Sequence, residues 1–222
     1  MWAAAVPDAV GRGRGPPPPP VNYLAHVTLA EPTDEARLGA LMGDFGRGLE
    51  VERLPAPMRF ALHEHRALDA WFDDHPRVRA ERARFPAELR RFAGILLDVF
   101  ADHVLARRWT ELHHRPLEEV TGSLYRAFDT YADLLPPRLT DVAPRMAAED
   151  WLRGYGDPDN VRRALEGIAR RMRRVTPIAR GHAELERRHG EIEACVLEVW
   201  PEASRWIQAR RAALRAGSAQ PK

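Results

Sequence analysis

LLDVFADHVLARRW, residues 96–109, decides the reading of this chain. Leucine, valine, phenylalanine and alanine dominate it, and a helix that is apolar on nearly every side belongs in a core. Yet Asp98, Asp102 and His103 lie in its middle. A helix advances about 100° per residue, so Asp98 and Asp102 share one face and His103 lies one step further round. Two carboxylates four residues apart repel each other, and burying them is costly unless they are paired or bind a metal. The first alternative is an ion pair to Arg66, Arg107 or another arginine. The second is a functional site.

Outward from this stretch the pattern stays helical, with no alternating hairpin signature. Helices are predicted over 22–30, 34–45, 56–73, 76–84, 86–109, 116–133, 139–153, 158–173 and 177–214, with prolines and glycines in most of the gaps and Pro201 kinking or dividing the last. The expectation is an all-α protein with a single helical domain over 21–216 and a flexible end over 217–222. Residues 1–20, with five consecutive prolines, read as a disordered tail or as a misassigned start before Val21. They lack the apolar core of a secretory signal.

Composition narrows the classes. Of 222 residues 45% are hydrophobic and 30% charged, and no apolar run is long enough to span a bilayer, so no membrane role is expected. The cations are arginines apart from Lys222, which reads as genome bias and not as nucleic-acid binding. One cysteine, Cys195, excludes an internal disulfide and a cysteine-rich zinc site, and suits a reducing cytoplasm.

Three further stretches put polar groups where apolar ones are expected. In MRFALHEHRALDAWFDD (58–74), His65 and Asp69 fall within the stripe of Ala61, Leu62, Leu68 and Phe72, whereas His63 points almost oppositely. In ARLGALMGDFGRG (36–48), Asp44 closes a helix ended by Gly46 or Gly48 and faces the negative end of the helix dipole, which calls for a nearby cation. In VNYLAH (21–26), His26 ends a short apolar run and on its own reads as a structural histidine. Together these histidines and aspartates suit a hard or intermediate divalent ion such as Mn, Mg or Fe. His113, His114, His182 and His189 read as loop or surface residues.

NYLAH, GALMGDFGRG, HEHRALD followed by DDHP, LLDVFADHVLARRW, AAEDWLRGY and RALEGIARRMRR, in that order, resemble the acyl carrier protein phosphodiesterases, also called acyl carrier protein hydrolases. The similarity runs from about residue 21 to residues 200–201. It implies an atypical, HD-domain-like helical phosphohydrolase that uses Mn2+ to cleave 4′-phosphopantetheine from the serine of holo-acyl carrier protein. The adjacent His-Asp pair of ordinary HD domains is reversed here, Asp102 preceding His103. The resemblance implies Asp44, His65, Asp69, Asp98 and Asp102 around metal, with His103 as ligand or proton donor. Arg66 is then a phosphate clamp, the alternative being a salt bridge to Asp69 or Asp73. Because acyl carrier proteins are acidic, the basic run RRMRR ending at Arg174, with Arg162 and Arg163, is a candidate docking face. Two other readings stay open: an HD-type hydrolase of a nucleotide or other small phosphoester, and a non-catalytic helical interaction protein whose acids pair with arginines. Oligomeric state is not legible.

Overall fold

A computed structural model describes residues 22–172 and 176–218. The expectations for residues 1–20, for Arg173 and Arg174 of the basic run, and for residues 219–222 lie outside these. In chain order the helices are α1 (Tyr23–Leu29), α2 (Asp34–Met42), α3 (Ala56–Asp74), α4 (Pro76–Ala83), α5 (Ala87–Arg90), α6 (Ala93–Arg107), α7 (Trp109–Leu112), α8 (Leu117–Thr130), α9 (Pro137–Ala148), α10 (Trp151–Gly154), α11 (Pro158–Arg171), α12 (Gly181–Arg187) and α13 (His189–Ser218). Short 3-10 turns join some of them, and there is no strand among the described residues. The protein is all-α.

The apolar stretch of residues 96–109 forms most of α6, and the burial of Leu96, Leu97, Val99, Phe100, Ala101, Val104 and Leu105 places that helix at the centre. One continuous core runs from Tyr23 on α1 to Ile207 on α13, so these helices form a single domain. Neighbours of α6 include α1, α4, α10, α11, α12 and α13. No helix among the described residues is long and apolar enough to cross a membrane.

Two long predicted helices are divided. The one expected over 86–109 splits into α5, α6 and α7, with breaks at Arg91–Phe92 and Arg108. The last one is interrupted at Arg188 and runs through Pro201 without a break. Arg188 turns out of helical geometry at φ −114° and sends its guanidinium inward to the fully buried Glu81 of α4, which Arg77 also binds at 3.0 Å. Pro201 removes one backbone donor. Burial of Val196, Val199, Ala203 and Ile207 holds α13 to the core around it.

Close approach of α2 to α3 depends on Gly39, where a Cβ would lie 2.4 Å from the Met58 carbonyl oxygen. On α3, Glu64 is buried and receives Arg211 of α13 in a fork, Nε to Oε1 at 2.8 Å and Nη2 to Oε2 at 2.6 Å. The same Nη2 donates to the Leu29 carbonyl at the end of α1 at 2.7 Å. Arg211 thus ties α1, α3 and α13 together. Arg211→Met strands the Glu64 carboxylate, and a loss of roughly 3–5 kcal/mol is expected from chemical denaturation. Combining it with Glu64→Met should recover much of that loss; equal, additive losses would show that the pair is not coupled.

Candidate metal centre

At the start of α1 the chain needs acceptors for the first free N–H groups of the helix. Asn22 occupies the N-cap position, but its side chain makes no capping bond. The acceptor comes from another helix. Asp102 of α6, fully buried, takes the Leu24 N–H at 2.8 Å and the Ala25 N–H at 2.9 Å, one on each carboxylate oxygen. These are the two donors that an N-cap side chain normally serves, and the positive end of the α1 dipole favours the carboxylate. Burial pushes the Asp102 carboxyl well above its ordinary range, and the two N–H groups oppose that rise.

This junction fixes His26, the next residue of α1. Its ring stacks on that of His65 with centroids 3.8 Å apart. His65 and Asp69, four residues apart on α3, share one face, and Asp69 reaches both rings: Oδ1 lies 3.0 Å from His26 Nε2 and Oδ2 lies 3.2 Å from His65 Nε2. Asp44, in the 3-10 turn Gly43–Phe45 after α2, brings Oδ1 to 3.7 Å from His65 Nε2. The His65 ring lies against the backbone of Gly43, where a Cβ would fall 2.2 Å from Cδ2. The left-handed glycine of this loop is Gly48, at φ 81°.

The electrostatics are unbalanced. Burial, followed by the charge of His65, lowers His26 to about 4, so its imidazole is neutral at pH 7. Burial would raise the Asp69 carboxyl, but the two imidazoles outweigh it and hold it below the usual carboxylate range. Asp44 is pushed well above that range by burial and then by the charges of Asp69, Asp98 and Asp102. Asp98 rises to about 7, through burial and the charges of Asp69 and Asp73, with Arg82 opposing. Neither Asp44 nor Asp69 has an arginine in an ion pair among the described residues. His65 Nδ1 and Asp44 Oδ2 are buried without a hydrogen-bond partner, and His26 Nε2 faces only the Asp69 carboxylate at 3.0 Å. His26, His65 and Asp69 offer ligand atoms all within 4.8 Å of one another. Orphaned acceptors, neutral imidazole and surplus carboxylate are what a divalent cation requires of its ligands.

Of the residues singled out in the sequence, Asp44, His65 and Asp69 come together, and Asp98 adds its charge beside them. Asp102 is engaged with α1. His103 is engaged on another side of α6: Nδ1 is 2.7 Å from the Tyr155 carbonyl oxygen, and the ring packs between Phe100 and His189. Arg66 is exposed and makes no ion pair with Asp69 or Asp73. Asp73 instead binds Arg82, whose guanidinium rests over Gly94 of α6. Within the basic run, Arg162 pairs with Asp159 and Glu166, and Arg170 approaches Glu166 at 3.9 Å. The sequence places His26 only in the wider set of histidines and aspartates, outside the ligand set the resemblance implies, and does not single out Gly43. The only signals for them were a histidine closing an apolar run and a glycine preceding Asp44.

An all-α domain whose α1, α3 and α2 turn converge on two histidines and surplus carboxylate defines a helical protein with a candidate metal centre. The family described as acyl carrier protein phosphodiesterase matches residues 21–203. Proteins named acyl carrier protein phosphodiesterase from Salmonella agona (strain SL483) and Salmonella typhimurium (strain LT2) are each 32% identical over 182 residues, covering 82% of this chain and 94% of the relative. The chain belongs to the acyl carrier protein phosphodiesterase family. No solved structure matches it significantly.

The repulsion between Asp98 and Asp102 predicts that Asp102→Asn leaves the fold unharmed; the capping geometry predicts otherwise. An amide keeps one acceptor and turns its NH2 toward a backbone N–H. Without added metal, Asp102→Asn should lose about 1–3 kcal/mol in urea unfolding. An unchanged or raised midpoint would mean that these two hydrogen bonds contribute little.

Proposed function

We propose that the protein is a metal-dependent phosphodiesterase that hydrolyses the bond between 4′-phosphopantetheine and serine of holo-acyl carrier protein, yielding apo-protein and the free prosthetic group. Family membership supplies the reaction class. The observation that carries the metal dependence is the meeting of His26, His65, Asp69 and Asp44 with orphaned acceptor atoms and no balancing arginine. In this reading His26, His65 and Asp69 hold a divalent ion, Mn2+ by preference, with Asp44 beside them and Asp98 adding negative charge. Such an ion supplies Lewis-acid stabilisation of phosphoryl charge and makes water nucleophilic at neutral pH.

The chain's own residues do the rest. Asp102 orients α1, and with it His26. Asp69, half-exposed, is the edge from which a phosphodiester enters. Arg66, exposed one residue after His65, is free to take phosphate oxygens in bidentate fashion. Asp98, raised to about 7, stands beside the centre and, deprotonated once a cation is bound, adds negative charge to it. His103, held by Tyr155, supports the packing of α6 in place of proton donation. The basic run from Arg162 to Arg174 is the proposed docking face for the acidic carrier, in the cytoplasm.

Purified protein assayed with holo-acyl carrier protein and Mn2+ should form apo-protein, read as the mass loss of the prosthetic group. His26→Ala and Asp69→Ala should each reduce this at least 100-fold. Turnover of small phosphodiesters with holo-acyl carrier protein untouched would favour the small-phosphoester hydrolase.

The raised carboxyls give a second expectation. Asp98, raised to about 7, is partly protonated at pH 7 and gives up that proton to a bound cation, the upward shift of Asp44 acts in the same direction, and neutral His26 has no proton to lose. Calorimetric Mn2+ titrations in buffers of different ionisation enthalpy should therefore show proton release at pH 7. Affinity should rise from pH 6 to 8, and pH-independent affinity would contradict the assignment.

A further inference from the structure

Beside Asp69 an apolar pocket opens between α1, α3, α6 and α13, with Leu68, Phe72, Trp200 and Ala203 among its walls and Asn22 and Asp69 as its polar members. Asp69 belongs to both the metal centre and the pocket. Its cavity volume for water-sized groups is about 30 Å³, room for about two of them. Asn22 has a free carboxamide because Asp102 has taken over its capping duty.

We propose that this pocket is a subsite for the pantoyl end of the prosthetic group, in which Leu68, Phe72, Trp200 and Ala203 enclose its dimethyl carbon and Asn22 hydrogen-bonds the adjacent hydroxyl. The proposal rests on the reading of the substrate given above. In 4′-phosphopantetheine the carbon bearing two methyl groups stands one methylene beyond the phosphate ester oxygen, and a secondary hydroxyl follows it. A phosphate held by a cation at Asp69 would therefore present a compact branched apolar group, then a polar one, to the adjoining wall. The pocket has matching size and order: a small apolar recess next to the carboxylate, with a single uncommitted amide. A long acyl chain fits it poorly, because the enclosed space is too small and such a chain is attached at the far end of the pantetheine arm. The pocket thus recognises what all carrier-bound pantetheine shares, and the thioester cargo is left outside it.

The test is calorimetric binding, with Mn2+ present, of 4′-phosphopantetheine, of its analogue lacking the two methyl groups, and of inorganic phosphate. Removing two buried methyl groups should weaken binding to the wild type about ten-fold. Ala203→Leu fills the recess; it should weaken 4′-phosphopantetheine about ten-fold, erase its advantage over the analogue, and leave inorganic phosphate unchanged. Asn22→Ala, which removes no capping bond, serves as a second variant should Ala203→Leu not fold. It should weaken 4′-phosphopantetheine several-fold with an unchanged melting temperature. Equal affinity of the wild type for the two pantetheine ligands would overturn the subsite, as would an equal weakening of inorganic phosphate by Ala203→Leu. Parallel assay of holo-acyl carrier protein separates the two readings. Hydrolysis without methyl discrimination rejects the subsite alone, and methyl discrimination without hydrolysis rejects the reaction while the subsite stands.

Discussion

Two hydrogen bonds from the start of α1 to the carboxylate of Asp102 hold the site to the core. Asp102 is on the central helix α6, whose apolar surface packs most of the other elements around it. A seven-residue helix such as α1 has little stability of its own. With its N-terminal donors satisfied by a carboxylate on the central helix, it is anchored to that helix. His26 shares that anchorage, one residue beyond Ala25. At the other end of α1, Arg211 holds the Leu29 carbonyl and, through Glu64, the residue next to His65. The two stacked imidazoles are thus fixed from both sides by polar contacts outside the His26, His65 and Asp69 cluster.

That arrangement leaves the centre with a surplus of negative charge. Two buried acids elsewhere are paired with arginines: Glu64 has Arg211, and Glu81 has Arg77 and Arg188. Asp44 and Asp69 face only histidines, and His26 is neutral at pH 7. Asp44 and Asp69, which have no arginine, are the acids at which the proposed cation would sit. The glycine at position 43 serves the same site, since any side chain there would displace the His65 ring.

The apolar pocket continues the same economy of parts. Asp69 belongs to both the candidate metal centre and the pocket wall, and Asn22 is released from capping by Asp102. The residue that secures α1 therefore also frees the one polar group of the pocket that carries no charge. In the proposed reading, chemistry at the phosphate and recognition of the group attached to it meet at one edge of α3.

How much was legible beforehand follows from which interactions are local. The helical class, the burial of residues 96–109 and the grouping of His65 with Asp69 come from periodicity, because a helix repeats every 3.6 residues whatever surrounds it. The order of motifs sufficed for the family. The sites of helix breaks did not follow from proline and glycine alone: Pro201 is carried within α13, whereas Arg188 breaks the helix as it turns inward to Glu81. Nor did the division of labour among the acids. Asp98 and Asp102 are equivalent on a helical wheel, yet one meets the donors of α1 and the other meets Asp69, Asp73 and Arg82. By itself the sequence determined an all-α chain with acids buried in its central helix and the family to which it belongs. Only the tertiary structure decided that His26 joins His65 and Asp69, and that Asp102 and His103 are held by backbone groups of Leu24, Ala25 and Tyr155. Those partners lie 52 to 78 residues away along the chain, and no local spacing encodes which of them will arrive.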